Sequence, residues 1–213
     1  MAPPGLRPRG FSFSGATVNR CIFLVDGLNL YHSTLDAERA TGRPARHLDV
    51  GSLCRSHLHA LPGRCRAAEI VLFSAVAHHR EGRSPGTVAR QLAYFAELEA
   101  SGVRLRLGQF KARSSACPHC GRAVTSWEEK ETDVAIGSVL LESVCRDLCD
   151  TVVLVTGDTD LVPAVTAARR LAAGKRLGVL QPYRRGNREL ARSADFALSL
   201  KAGTYARHQF GAA

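Results

Sequence analysis

Short apolar runs alternate along the chain with longer segments in which apolar residues recur every three or four positions. The runs predict strands, and the longer segments predict helices. The predicted strands lie at residues 21–25, 69–77, 103–108, 151–155, 176–180 and 194–200. The predicted helices lie at residues 28–40, 49–61, 87–100, 128–148, 161–173 and 187–191. This alternation predicts an α/β fold in which helices cover both faces of a central, mostly parallel sheet.

Two segments fall outside this alternation. Residues 1–19 are rich in Pro and Gly and lack periodicity, which predicts a flexible N-terminal tail. The rest of the chain, residues 20–213, has the length of one well-buried domain. Within that domain, residues 111–125 break the pattern and predict an insertion that contains Cys117 and Cys120.

Carboxylates follow two of the predicted strands directly. Asp26 follows the first strand, Asp158 and Asp160 follow the strand at residues 151–155, and Asp133 lies in a predicted helix. Because ligands bind at the carboxyl ends of parallel strands, we expect these acids to share one site. Carboxylates suit Mg²⁺ or Mn²⁺, and such an ion can assist phosphodiester hydrolysis. Taken singly, each aspartate could instead cap a helix or close a turn.

Three blocks of sequence carry a resemblance to a known family. They are Phe23-Leu24-Val25-Asp26-Gly27-Leu28-Asn29-Leu30-Tyr31, Glu129-Lys130-Glu131-Thr132-Asp133-Val134-Ala135-Ile136 and Thr156-Gly157-Asp158-Thr159-Asp160-Leu161-Val162-Pro163. With these blocks the chain resembles the NYN domain family, and more narrowly its LabA-like (DUF88) branch, within the PIN-like nuclease superfamily. The resemblance spans roughly residues 20–200.

The resemblance implies a three-layer α/β/α PIN-like fold and a Mg²⁺- or Mn²⁺-dependent ribonuclease. It implies that the metal is held by Asp26, Asp133, Asp158 and Asp160, and that Asn29 accompanies Asp26 in the catalytic site. The chain departs from the family pattern at one place. Gly137-Ser138-Val139 stands where many relatives carry a further acid.

Side chains that could bind the substrate surround these acids in the sequence. Lys130, Thr156 and Thr159 could contact a phosphate, or they could only support the turn and the helix surface. Arg184 and Arg185 belong to an Arg-rich C-terminal third that could hold an RNA backbone. The pair His78 and His79 lies in a polar loop, and we expect it to be solvated rather than part of the site.

The composition adds two constraints on the partner. A formal net charge of +10 favours a polyanion such as RNA, although Arg-rich usage along the whole chain can also reflect base composition. Aromatic residues make up only 6% of the chain, and no strand interleaves them. Readout of RNA by base stacking is therefore not indicated by the sequence.

The cysteines suggest a second metal site and a compartment. Cys117 and Cys120 form half of a zinc knuckle, which Cys145 and Cys149 could complete; otherwise these two are core residues. Seven cysteines without a signal-peptide pattern favour the reducing cytoplasm. No apolar run approaches the ~20 residues of a membrane helix, so we expect no membrane association.

The sequence thus favours a metal-dependent endoribonuclease that hydrolyses RNA phosphodiester bonds. The alternative is a non-catalytic module of the same fold that binds RNA or a protein partner. A phosphatase of the phosphoaspartyl type is disfavoured, because Gly27 and Leu28 follow Asp26 in place of an Asp-x-Asp pair. Homo-oligomerisation and the identity of any protein partner stay open.

Overall fold

The computed structural model of the chain describes residues 18–116, 119–172 and 174–211, and in these ranges seven strands form one sheet. The strands are β1 (Asn19–Asp26), β2 (Cys65–Ala75), β3 (Arg104–Ala116), β4 (Ala123–Lys130), β5 (Thr151–Val155), β6 (Arg176–Gln181) and β7 (Phe196–Ser199). Their order in the sheet is β4-β3-β2-β1-β5-β6-β7. Neighbouring strands are parallel except β3 and β4, which are antiparallel.

Six α-helices are found in the same ranges: α1 (Gly27–Thr41), α2 (Val50–Ser56), α3 (Thr87–Ala100), α4 (Thr132–Cys145), α5 (Val162–Leu171) and α6 (Arg188–Ser193). Short 3-10 helices cover Leu58–Ala60, His78–Arg80, Thr159–Leu161 and Ala202–Arg207. None of the helices in the described ranges combines the length and the apolar character needed to cross a bilayer.

The helices divide between the two faces of the sheet. Alternate residues of β1 point to opposite faces, as in any strand, so that Phe23 belongs to one core and Leu24 to the other. The first core includes buried residues of α1, α2 and α3, and the second includes those of α4, α5 and α6. The predicted three-layer α/β/α arrangement with a mostly parallel central sheet is confirmed.

The strand β1 lies in the middle of the sheet and has β2 and β5 as its two parallel neighbours. Its residues Cys21 to Asp26 are all buried, which matches its unbroken apolar run. At the start of the strand, Arg20 forms an ion pair with Asp150, the residue that precedes β5. The two strands are thereby fixed side by side, and their carboxyl ends fall at the same edge.

The structure differs from the sequence prediction around residues 111–130. Residues 128–130, predicted to begin a helix, belong instead to β4, which pairs with an extended β3 to make a hairpin. The helix α4 begins only at Thr132, because Glu131 adopts a positive φ of 77° that separates strand from helix. Pairing between residues distant in sequence has overridden the helical preference of the Glu- and Lys-rich segment.

Two smaller differences concern single residues. Val134, although apolar and in the first turn of α4, is 74% exposed. Asn19, predicted to end the tail, already belongs to β1, and residues 1–17 of that tail lie outside the described ranges.

Candidate metal centre

Three aspartates from three separate elements meet at the carboxyl edge of the sheet. Asp26 is the last residue of β1, Asp158 follows the end of β5, and Asp133 lies in the first turn of α4. One carboxylate oxygen from each of them lies within 4.8 Å of the others. In the described part of the chain, no other group of His, Cys, Asp or Glu side chains converges in this way.

Asp26 is held in place through both of its oxygens. The side chain is buried, with 5% of the residue exposed. Its Oδ1 accepts the backbone N–H of Asn29 at 2.9 Å and so caps α1. Its Oδ2 accepts the hydroxyl of Thr156 at 2.9 Å. Each carboxylate oxygen has a second lone pair, so both can still bind a cation.

Thr156 connects the two strand ends. Besides donating to Asp26, its hydroxyl oxygen accepts the backbone N–H of Asp158 at 3.1 Å. The side chain of Asn29 adds a second connection, because its Oδ1 accepts the N–H of Gly157 at 3.2 Å. The turn after β5 is therefore tied to the end of β1 by two side chains.

Asp158 also has a local role. Its Oδ1 accepts the N–H of Asp160 at 3.0 Å and caps the 3-10 helix Thr159–Leu161. Asp26 and Asp158 thus act as the helix caps that the sequence allowed for. The two roles are compatible, because a cap uses only part of a carboxylate.

The negative charges of the three carboxylates repel one another. Burial, together with the charges of Asp158, Asp26 and Asp160, raises the pKa of Asp133 to about 6. Burial is also the main cause that raises the pKa of Asp26, with a smaller contribution from Asp158. A divalent cation would relieve this repulsion, and an all-carboxylate set of oxygen donors fits Mg²⁺ or Mn²⁺.

Glu129 is a fourth acid at the same place, which the sequence reasoning did not single out. Its Oε1 accepts the hydroxyl of Thr132 at 2.8 Å, and burial and the nearby charges of Asp26 and Asp133 raise its pKa. The sequence signal that could have identified Glu129 as a site residue is its position in the second signature block, four residues before Asp133. The prediction missed it because residue 129 was assigned to a helix rather than to a strand at the rim of the site.

A cleft of about 940 Å³ opens beside these acids. Asp26, Asn29, Asp133 and Asp158 line it together with Glu129. The cleft runs between the end of β2, the helix α3 and the β3–β4 hairpin. A substrate in the cleft would therefore lie directly against the aspartates.

Several residues predicted to bind substrate or metal do not line the cleft. Asp160 is exposed and outside the group of three, although it is near enough to affect Asp133. Lys130 donates to Glu128 at 2.8 Å. The hydroxyl of Thr156 is engaged by the two aspartates, so this residue supports the site, and Thr159 lies half-buried in the 3-10 helix.

Of the two arginines predicted to bind substrate, Arg185 borders the site through its backbone. Arg185 forms an ion pair with Asp36 of α1, and its carbonyl oxygen packs closely on Gly157. The guanidinium of Arg184 lies 5.5 Å from the centre of the Tyr183 ring. Neither arginine lines the cleft, which is instead lined by Arg46, Arg80 and Arg90.

His79 lines the cleft although the sequence did not predict it to be part of the site. The sequence suggested that the pair His78 and His79 would be solvated, yet His79 lines the cleft and packs on aromatic rings of the β3–β4 hairpin. The position of a loop residue depends on what the loop packs against, which no local pattern reveals.

The predicted zinc half-site is not supported. Cys117 lies outside the described residues, and Cys120 is exposed. Cys149 is buried in the core beside α4, which is the alternative role that the sequence allowed for it. Cys145 is exposed. Among the described residues, the cysteines do not take part in any converging group of metal ligands.

The chain is similar to known proteins in sequence pattern and in fold. The family model described as "NYN domain" matches residues 20–201 of the chain. Among solved structures, a protein of unknown function from Vibrio parahaemolyticus RIMD 2210633 superimposes with a TM-score of 0.55 at 18% sequence identity. The match covers 86% of this chain and 94% of that protein, and at such identity it shows a shared fold. No curated protein matches the chain.

Proposed function

The chain belongs to the NYN domain family, in the PIN-like nuclease superfamily, and on that premise we propose that it is a metal-dependent endoribonuclease that hydrolyses RNA phosphodiester bonds. The observation that carries the proposal is the meeting of Asp26, Asp133 and Asp158 within 4.8 Å at the edge of a cleft. Acids on separate elements, brought together despite their repulsion, are the expected donor set of a hydrolytic metal site.

In this proposal Asp26, Asp133 and Asp158 hold one Mg²⁺ or Mn²⁺ ion. When bound, the ion would polarise a phosphoryl oxygen and lower the pKa of the attacking water. Thr156 and Asn29 keep the carboxylates of Asp26 and Asp158 in register by the hydrogen bonds described above. Asp160 would act on the site through its charge, at the distance of a neighbouring turn.

The arginines of the cleft support an RNA substrate. Arg46, Arg80 and Arg90 line it, and the whole chain carries a formal net charge of +10. Arginines pair with phosphate groups and release counterions from the nucleic acid, which makes binding dependent on salt. A polyanion entering the cleft would be drawn towards the cation held by the aspartates.

Substitution of the aspartates tests the proposal. Asp26→Asn and Asp158→Asn keep the size of the side chain but remove a charged metal ligand, so we expect Mg²⁺-dependent cleavage of single-stranded RNA to disappear. The matched control is Glu142→Gln, which neutralises an exposed acid of α4 outside the cleft and should cleave at the wild-type rate. Circular dichroism and thermal unfolding would verify that all three variants are folded. Cleavage by Asp26→Asn at the wild-type rate would contradict the proposal.

A non-catalytic RNA-binding module of the same fold is the second candidate. One observation favours it, since α4 carries Gly137-Ser138-Val139 where many relatives carry a further acid, and Ser138 only donates to the carbonyl of Val134. In that case the purified protein would bind RNA with a steep salt dependence but show no turnover with Mg²⁺ or Mn²⁺.

Two finer assignments accompany the proposal. The three signature blocks support placement in the LabA-like (DUF88) branch of the family. The cysteines at positions 21, 54, 65, 120, 145 and 149 are free thiols, which supports the cytoplasm as the compartment.

A further inference from the structure

The wall of the cleft that the β3–β4 hairpin forms contains an exposed tryptophan. Trp127 is the only tryptophan of the chain, lies on β4, and is 46% exposed. It lines the same cleft as the aspartates. A large apolar ring left open in a cleft is a typical feature of a binding surface.

The indole ring is supported from behind by two other rings. The His79 ring stacks on it with centroids 4.9 Å apart and an interplanar angle of 13°. Phe110, on the adjacent strand β3, packs against the His79 ring at an interplanar angle of 63°, with ring centroids 4.6 Å apart. Because His79 covers one face of the indole, the opposite face is the one open to a ligand. The packed rings also hold the indole in a defined orientation.

The position of this tryptophan relative to the acids follows from the strand. Trp127 and Glu129 are two residues apart on β4, so their side chains lie on the same face, about 7 Å apart along the strand. Glu129 in turn interacts electrostatically with Asp26 and Asp133. Trp127 is therefore separated from Glu129 by one step along the same face of the strand, and it shares a cleft with the aspartates that Glu129 interacts with.

Basic side chains line the same cleft as the ring, together with the acids. Arg80, next to His79 in the chain, lines the cleft, as does Arg90 at the start of α3. An apolar ring beside arginines matches a molecule that combines flat bases with phosphates, and stacking together with phosphate contacts is how proteins bind single-stranded nucleic acid.

We propose that Trp127, backed by His79, is a platform on which an unpaired base of single-stranded RNA stacks while an adjacent phosphate lies at the three aspartates. The inference rests on the proposed ribonuclease function and adds the residue that holds a base of its substrate. In a duplex each base is already covered on both sides by its neighbours, so the platform selects unpaired RNA. It selects little by sequence, because every base has a flat face.

The fluorescence of Trp127 tests the stacking directly, because no other tryptophan contributes to the signal. A short single-stranded RNA is titrated into the wild-type protein with Ca²⁺ in place of Mg²⁺, and gel electrophoresis verifies that the RNA stays intact. We expect saturable quenching with this RNA, and no quenching with an abasic oligomer of the same length and charge or with the matching duplex. Equal quenching by the abasic oligomer, or none by the single strand, would overturn the proposal; the latter would point to a protein as occupant of this surface.

Substitution of the tryptophan gives the second test. Trp127→Ala should weaken binding of the single strand about tenfold, and Trp127→Phe, which keeps a flat ring, should weaken it about threefold or less. The control is Val124→Ala, which removes an equally exposed apolar side chain from the same strand outside the cleft and should bind like the wild type. Unchanged binding by Trp127→Ala would contradict the platform.

The two proposals can fail separately. Cleavage of RNA without quenching would remove the platform and leave the ribonuclease. Quenching without cleavage under any metal would keep the platform and favour the non-catalytic module.

Discussion

Asp26 shows how one residue serves both the fold and the site. Its two oxygens accept hydrogen bonds from Asn29 and Thr156, which together tie α1 and the turn after β5 to the end of β1. The same bonds aim the carboxylate at Asp133 and Asp158. A change at Thr156 would therefore alter how the carboxylates of Asp26 and Asp158 are positioned.

The raised pKa of Asp133 leads to a prediction about the metal-free protein. The pKa is about 6 in the folded state, above its usual 3.8, because ionisation places a charge among other acids. A group whose pKa is raised by folding stabilises the folded state below the unfolded pKa, and that stabilisation is lost as the pH rises through about 6. The metal-free protein should therefore lose stability between pH 4 and pH 7.

Asp133→Asn removes this titration. In EDTA at pH 7.5 we expect the variant to be more stable than the wild type by about 1 kcal/mol, after allowing for solvent screening of a partly exposed group. At pH 4 the advantage should vanish, because Asp133 is then neutral in the wild type as well. Urea unfolding at the two pH values measures both differences. An equal difference at both pH values would show that repulsion at the acidic group is not its cause.

At the scale of elements, the strand ends could be predicted and the wall of the cleft could not. The apolar runs of β1 and β5 and the aspartates that follow them are local signals, so Asp26 and Asp158 were identified from sequence alone. The hairpin depends on pairing between β3 and β4, which a local pattern does not encode, and its residues were assigned to an insertion and a helix. Glu129 and Trp127 were missed for that reason, and the low aromatic content hid a cluster assembled from separate elements.

The turn after β5 approaches the backbone of Arg185 closely at Gly157. A Cβ placed on Gly157 would lie 1.5 Å from the carbonyl oxygen of Arg185, so the two backbones can approach only because residue 157 is glycine. Gly157→Ala should force the loop away and destabilise the protein by about 1–3 kcal/mol. The control Gly203→Ala places its methyl group in open space and should cost far less. Urea unfolding of the two variants gives the comparison, and equal stability would show that the close approach is absent in solution.

At the scale of the molecule, the order of the strands determines where the site can form. The chain continues from β1 through α1 to β2 on one side, whereas β5 adjoins β1 on the other and continues into α5 on the opposite face. The two connections diverge and leave a crevice at the carboxyl ends of β1 and β5. In open α/β sheets such a switch point is where ligands bind. The aspartates lie there, and the cleft extends from them past the end of β2 to the hairpin that carries the tryptophan.

We propose that one divalent cation is held jointly by these three aspartates, and a crystal soaked in Mn²⁺ would reveal that ion itself. Anomalous scattering locates manganese without reference to any assay of activity. We expect a single strong anomalous peak within coordination distance of the carboxylates of Asp26, Asp133 and Asp158. A soaked crystal that shows manganese only elsewhere, or none at this edge of the sheet, would contradict the account.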